Sequence, residues 1–395
     1  MTNIWAYGIK KEDSKNILKI PYKSRIPSMG ISLLEIPMLV AKNNEVIVKV
    51  FSSALNYNSI WSSISHPISP FQLINNHIRR NPDDSDHSLD FAILGSDAAG
   101  VVAEVGKDVK DFKEGDEVIV HCNVVDEQDP ISKIDSMLSK TQSIWGYETN
   151  FGAFAEYTKV KSSQLIKKPK DLDWSSAGSF SLTLSTAYRM LVSENAAKLR
   201  SGEVCLIWGA SGGLGSFAVQ LCNLLNVTSI GVVSSDKKKK IASELGANFV
   251  VNRKSKDLGN FIKSDGSPDL ISWNKFSNHL KKIGCPEIDC IFEHVGAETL
   301  GMSVYLLKRG GRVVICGASS GYMSQIDLRY LWMELKRIIG SHFANKKEAE
   351  EAASLIFEGK VKPLIHSNNK INKLGEMADK LHSEDISGKI VFDHI

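Results

Sequence analysis

The stretch Val204-Cys205-Leu206-Ile207-Trp208-Gly209-Ala210-Ser211-Gly212-Gly213-Leu214-Gly215 decides how the rest of the chain reads. Five apolar residues follow the polar Ser201-Gly202-Glu203 turn and run into a glycine cluster that opens an amphipathic segment. That order predicts a buried strand turning tightly into a helix. Gly209 permits the sharp bend, Gly212 lets backbone amides approach a ligand, and Gly215 lets the helix lie close on the strand. A dinucleotide pyrophosphate would sit there, facing the positive helix N-terminus, with Gly209, Ser211, Gly212, Gly213 and Leu214 as candidate contacts. A glycine fingerprint alone also suits a Gly-rich turn of any α/β protein, so the context decides.

Downstream, the predicted helix carries Phe217, Val219, Leu221 and Leu224-Leu225 at helical spacing, and a strand follows at Ser229–Val233. A helix up to Leu245-Gly246 comes next, then strands at Phe249–Asn252, Ile288–Phe292 and, after Gly310-Gly311, Arg312–Cys316. Strands alternating with helices predict parallel βαβ units and a doubly wound, Rossmann-type α/β sheet. In NAD-binding units an acidic residue at the end of the second strand accepts from the ribose 2′-hydroxyl. Here that strand ends in Ser234-Ser235-Asp236 followed by Lys237–Lys240. Two hydroxyls, with Lys238 or Lys239 beyond them, suit a 2′-phosphate and favour NADPH. Asp236 keeps NADH open, and the lysines also read as a solvated helix start.

With 395 residues the chain exceeds one ordinary core, and 43% hydrophobic with 24% charged residues is a globular composition. A net charge of +3 with dispersed basic residues argues against nucleic acid as a partner. No apolar run approaches the roughly 20 residues that span a bilayer, and no signal sequence is visible, so the expectation is a cytoplasmic protein without a membrane partner. The six cysteines are scattered and lack metal-ligand spacing; they read as small core residues, and no metal is expected.

Before the nucleotide unit the pattern turns β-rich, with Val46–Val50 and Val118–Val120 separated by turn signals, which predicts a barrel-like domain. Asn56-Tyr57-Asn58 follows a strand, and Leu94–Val102 is a glycine-bounded bend. The segments from Ser65 to Leu89 and from Val125 to Gln142 read as long surface excursions, either of which would cover a substrate or meet a second subunit. Ser175–Val192 reads as one helical stretch leading into the nucleotide unit, and helix Lys346–Glu358 and strand Lys389–Phe392 as a return to the first domain.

Together these residues resemble the zinc-independent medium-chain dehydrogenase/reductase superfamily and, within it, the crotonyl-CoA carboxylase/reductase family. The resemblance spans nearly the whole chain. It rests on Asn56–Asn58, Gly95–Asp97, Trp145–Gly152, Trp208–Gly215, Phe292–His294, Arg329–Met333 and Gly340–Asn345. It implies a GroES-like, β-barrel-type catalytic domain over 1–174 and 341–395 and a Rossmann domain over 175–340. It also implies an acyl-CoA substrate, CO2, NADPH and a homo-oligomer, a dimer or tetramer. Hydride would reach Cβ of an α,β-unsaturated acyl-CoA, and the enolate would attack CO2 at Cα to give an alkylmalonyl-CoA. Carried onto this chain, Asn58 and His342 would donate to the CO2 oxygens, Glu148 would position His342 or a water, and Tyr147 would shield the pocket. His294 joins the cofactor contacts.

Plainer roles exist for each: a turn cap for Asn58, a paired carboxylate for Glu148, a core histidine for His342. At 147 the family commonly has Phe, and a phenol brings a polar group to a pocket that must exclude water. Asn56 and Asn58 cannot supply the thiolate of a catalytic zinc site. Two other functions share the same residues: an enoyl-CoA or quinone reductase without carboxylation, and a non-catalytic NADPH-binding protein.

Overall fold

The computed structural model describes residues 3–383 and 386–394, which form two compact units. One unit comprises Thr183–Ala344 and Glu358–Lys362. Its six parallel strands lie side by side in the order Phe249–Asn252, Thr228–Val233, Val204–Trp208, Ile288–Glu293, Leu307–Ile315 and Arg337–Gly340. Strand order reverses between Val204–Trp208 and Ile288–Glu293, which makes their carboxyl ends the switch point where doubly wound sheets bind ligands. Every residue of those two strands is buried, as expected of parallel strands covered by helices on both faces. Trp208, Phe261 and Phe276 pack with ring centroids 5.3–6.0 Å apart beneath the sheet.

Helix Leu270–Lys282, absent from the sequence reading, is nonetheless written there. Asp269 caps it by accepting from the Ile271 and Ser272 amides, and Trp273, Phe276 and Leu280 make its buried stripe.

The other unit comprises Met1–Leu182, Asn345–Phe357 and Pro363–Ile395. Strand Glu45–Ala54 is its axis, pairing antiparallel with Ala98–Val105, Tyr157–Lys161 and the last strand, Lys389–Asp393. Its ten residues, with β-branched Val46, Ile47, Val48 and Val50 and small Ser52, Ser53 and Ala54, let one strand serve three partners along its length. A three-stranded sheet of Ser32–Pro37, Asn3–Lys10 and Phe91–Ile93 completes the framework.

Two expectations need correction. The segment after Ser65 is a packed helix, Pro70–Arg80, rather than a surface excursion. Ser69 caps it, Pro70 occupies its first turn, and Phe71, Ile74 and His77 bury one face beneath the polar residues that dominate the sequence. The stretch 175–192 is two helices, Trp174–Ala177 and Ser181–Val192, broken after Gly178. Gly178 lies so close to Ser52 that a Cβ would come within 2.7 Å of its backbone. The two compact units divide in sequence at Leu182/Thr183, Ala344/Asn345, Phe357/Glu358 and Lys362/Pro363. Trp174 packs at a tilt against Phe51 and lies beneath the Lys168 ammonium in the barrel unit, while the Ser341 amide extends the parallel sheet by donating to the Ile315 carbonyl.

The barrel unit carries an acid-labile element. Burial pushes His121 down to about 3, and His394 down to about 4 despite its hydrogen bond to the Ala155 carbonyl. Both folded-state values lie below the unfolded value of 6.5, so the stability held by the neutral rings is full above that pH. It is lost as pH falls from 6.5 through these values. The urea midpoint is expected to drop steadily below about pH 6.5, with His121→Phe flattening the slope; a wild-type midpoint independent of pH in that window contradicts this.

Candidate functional site

In the parallel-sheet unit, the chain leaves strand Val204–Trp208 through Gly209 at φ +59°, and helix Gly215–Leu224 begins six residues later. A Cβ on Gly215 would lie 2.2 Å from the Gly209 carbonyl oxygen, so only glycine lets the helix start where it does. The turn through Ser211 to Leu214 therefore leads directly into the helix N-terminus, where backbone amides favour an anion such as a pyrophosphate. The residues present therefore fit a dinucleotide.

The Phe292–His294 motif supports this turn from behind. Nε2 of His294 donates to the Trp208 carbonyl at 2.9 Å, and its ring is close enough to Gly209 to exclude a Cβ there. Burial lowers the His294 pKa, which keeps the ring neutral. Its observed contact is thus with the loop, the layer beneath a cofactor. Beside it, Glu293 is fully buried: its carboxylate accepts from the Val295 and Gly296 amides and from the Thr299 and Ser303 hydroxyls. Burial raises its pKa, and those four donors pull it back. Ser303 in turn accepts from the Trp208 indole, so one buried network braces the strand that carries the glycine turn.

At the end of strand Thr228–Val233, Ser235 caps helix Asp236–Glu244 by accepting from the Lys238 amide. Asp236 accepts from the Asn252 side chain at 3.1 Å, which engages the one carboxylate that a ribose 2′-hydroxyl would have used. Lys238 is half-buried beside the cap, and Lys239 points to solvent. Arg253, which sequence reasoning missed, is tied by its amide to the Val233 carbonyl, and its guanidinium lies 3.4 Å from the Glu298 carboxylate. Two hydroxyls and basic side chains at this edge match a phosphate better than a diol.

In the barrel unit the structure brings three predicted residues onto stacked turns. Asn56 precedes helix Tyr57–Ser63, and Asn58 sits in its first turn. The Asn58 amide donates from Nδ2 to Ser96 Oγ at 2.9 Å, while its Oδ1 is enclosed without a hydrogen-bond partner. Directly beside this contact, Asp97 accepts from Asn56 at 2.8 Å, from Lys389 at 3.0 Å and from the Leu182 amide at 2.6 Å. Lys389 also donates to Asn56 Oδ1, and all three side chains are buried. A buried ion pair with its remaining valences filled fixes both the Asn56–Asn58 turn and the Gly95–Asp97 bend.

The Trp145–Asn150 turn lies on that bend. A Cβ at Gly146 would come within 1.8 Å of the Gly95 carbonyl, and Gly146 itself adopts φ +73°. Tyr147 follows; burial, and then the neighbouring Glu148 charge, push its phenol up to about 12, so it stays protonated at any working pH. The Glu148 carboxylate accepts from the Ile144 amide at 2.8 Å and has Arg80 at 3.7 Å. It borders a cavity of about 470 Å³ lined also by Asn76, Arg79 and Arg80. Ser96, Asp97, Lys389 and Arg80 escaped the sequence reading as individual residues; the motif Gly95–Asp97 was the available signal for the first two. His342 belongs to the parallel-sheet unit, just past strand Arg337–Gly340, and is exposed, so the core-histidine role does not apply.

Residues 42–170 match the family described as alcohol dehydrogenase GroES-like domain, and residues 213–358 the family described as zinc-binding dehydrogenase. The chain is 41% identical to crotonyl-CoA reductase of Streptomyces collinus over 98% of its own length and 86% of that protein. It is 38% identical to crotonyl-CoA carboxylase/reductase of Cereibacter sphaeroides, covering 92% and 87%. Among solved structures, the 2-octenoyl-CoA carboxylase reductase CinF in complex with NADP and 2-octenoyl-CoA superimposes with a TM-score of 0.93 at 38% identity, covering 99% and 87%.

Proposed function

The chain belongs to the crotonyl-CoA carboxylase/reductase family of the medium-chain dehydrogenase/reductase superfamily, and from that premise we propose that Asn58, Tyr147, Glu148 and His342 form its CO2 pocket. Its reaction is the NADPH-dependent reductive carboxylation of an α,β-unsaturated acyl-CoA, crotonyl-CoA or a longer 2-enoyl-CoA, to an alkylmalonyl-CoA. NADPH supplies the hydride at Cβ. The residues of the chain then govern what the thioester enolate meets. Its Cα electron pair attacks the carbon of CO2, one C=O pair moves onto oxygen, and a carboxylate forms. Carbon dioxide carries no charge to hold it, so N–H donors aimed at its oxygens act mainly as negative charge develops there. Asn58 and the His342 ring fill that part. Glu148, held by the Ile144 amide, orients His342 or a water, and the protonated phenol of Tyr147 closes the pocket.

The observation that carries this reading is the Asn58 amide held at one end by Ser96 while its other end is enclosed without a partner, an unfilled valence that a ligand would fill once the amide turns its N–H toward it. Asn58→Ala tests it. With saturating NADPH and crotonyl-CoA, the variant is expected to make about 10²-fold more uncarboxylated butyryl-CoA relative to ethylmalonyl-CoA than the wild type. An unchanged partition removes Asn58 from the pocket.

We also propose a cytoplasmic location and a homo-oligomer. Free thiols such as the six cysteines here suit a reducing compartment, and no described helix is long and apolar enough to cross a membrane. For the oligomer the support is the outer edge of the parallel sheet, strand Arg337–Gly340, where Trp332, Met333 and Leu335 are exposed together. An open edge flanked by apolar side chains invites pairing with a second copy. Light scattering is expected to give a dimer or tetramer for the wild type and a smaller species for Trp332→Glu/Leu335→Glu; a monomeric wild type contradicts the assignment.

A further inference from the structure

We infer that Ser96 is the positioning residue that anchors one end of the Asn58 amide so that the other end faces CO2; this rests on the pocket proposed above. Ser96 is completely buried in the Gly95 bend, with a held neighbour on each side. On one side the Gly95 carbonyl accepts from the Ala153 amide at 2.9 Å, with Gly146 pressed against it. On the other, Asp97 is clamped by Lys389, Asn56 and the Leu182 amide. The Ser96 hydroxyl is therefore a fixed point, and Asn58 Nδ2 donates to it at 2.9 Å.

A hydroxyl both donates and accepts, whereas each end of a carboxamide does one only. If the Asn58 amide turns end for end, Ser96 O–H donates to Oδ1 and the anchor survives with the roles exchanged. Nδ2 then occupies the enclosed position where Oδ1 now has no partner. In that orientation the amide offers an N–H to a CO2 oxygen while the other end remains held. Without the Ser96 hydroxyl, the amide has no fixed point and its donor is not aimed.

The test is KM for CO2 against kcat, with the product partition, for wild type, Ser96→Ala, Ser96→Thr and Asn58→Ala, each at saturating NADPH and crotonyl-CoA. Loss of one oriented hydrogen bond is expected to raise KM for CO2 in Ser96→Ala about tenfold, more than kcat changes, and to lower the carboxylated share. Ser96→Thr, which keeps the hydroxyl, is expected to recover most of it; melting curves and the Thr variant identify any loss due to misfolding. If Asn58→Ala diverts product while Ser96→Ala matches wild type, or if Ser96→Thr fails as badly as Ser96→Ala with an intact fold, Ser96 has no such role. If neither Ala variant changes the partition, the pocket reading itself is overturned.

Discussion

Lys389→Met is expected to destabilise the protein by about 3–5 kcal/mol, because it leaves the Asp97 carboxylate buried without its counter-charge. Asp97 and Lys389 are 0% and 3% exposed, their charged atoms are 3.0 Å apart, and the remaining carboxylate valences are filled by Asn56 and the Leu182 amide. Methionine keeps the aliphatic bulk of the lysine but gives Asp97 neither charge nor donor. The melting temperature is expected to fall by about 10 °C. The damage also reaches the site, since Asn56 loses the Lys389 ammonium that donates to its Oδ1 and Asn58 is two residues away in the same turn. Adding Asp97→Asn to Lys389→Met removes the stranded charge and is expected to restore part of the loss, as coupled partners do. A melt within about 2 °C of wild type for the single variant would show that the pair is dispensable.

Glu148→Ala and His342→Asn are expected to turn the product from ethylmalonyl-CoA toward butyryl-CoA, each lowering the carboxylated-to-reduced ratio by about 10²-fold, as when one donor at a developing oxyanion is no longer aimed at it. Hydride delivery precedes the branch point, so the partition should move more than the rate of NADPH oxidation. His342→Asn keeps an N–H but shortens its reach. Glu148→Ala keeps the turn, whose shape depends on Gly146 and on the Ile144–Glu148 backbone hydrogen bond, while removing the carboxylate that the Ile144 amide and Arg80 orient. Mass spectrometry of the acyl-CoA products at saturating bicarbonate reads the ratio directly. Wild-type ratios in both variants would place the pocket elsewhere.

The nucleotide half of the fold is legible in the sequence because its signals are local. Gly209, Gly212 and Gly215 each answer a backbone requirement within one turn, and strands that alternate with helices fix the parallel order. Signals that depend on distant partners are not legible. Lys389 lies 292 residues from Asp97, and nothing in either neighbourhood announces the pair. Helix Pro70–Arg80 hides behind asparagines and arginines because only Phe71, Ile74 and His77 face inward. His294 shows a different limit: the motif flags an important residue, but only the coordinates reveal that its ring holds the Trp208 carbonyl. Likewise, Asn58 is flagged by its place after a strand, while its half-satisfied amide appears only once Ser96 is beside it.

The most direct measurement is the mass of the product that the wild-type protein makes from crotonyl-CoA and NADPH with and without bicarbonate. Ethylmalonyl-CoA in the presence of bicarbonate, with its carboxyl carbon labelled from labelled bicarbonate, is the expected result. Butyryl-CoA alone in both arms, with NADPH consumed at the same rate, would contradict it and leave an enoyl-CoA reductase.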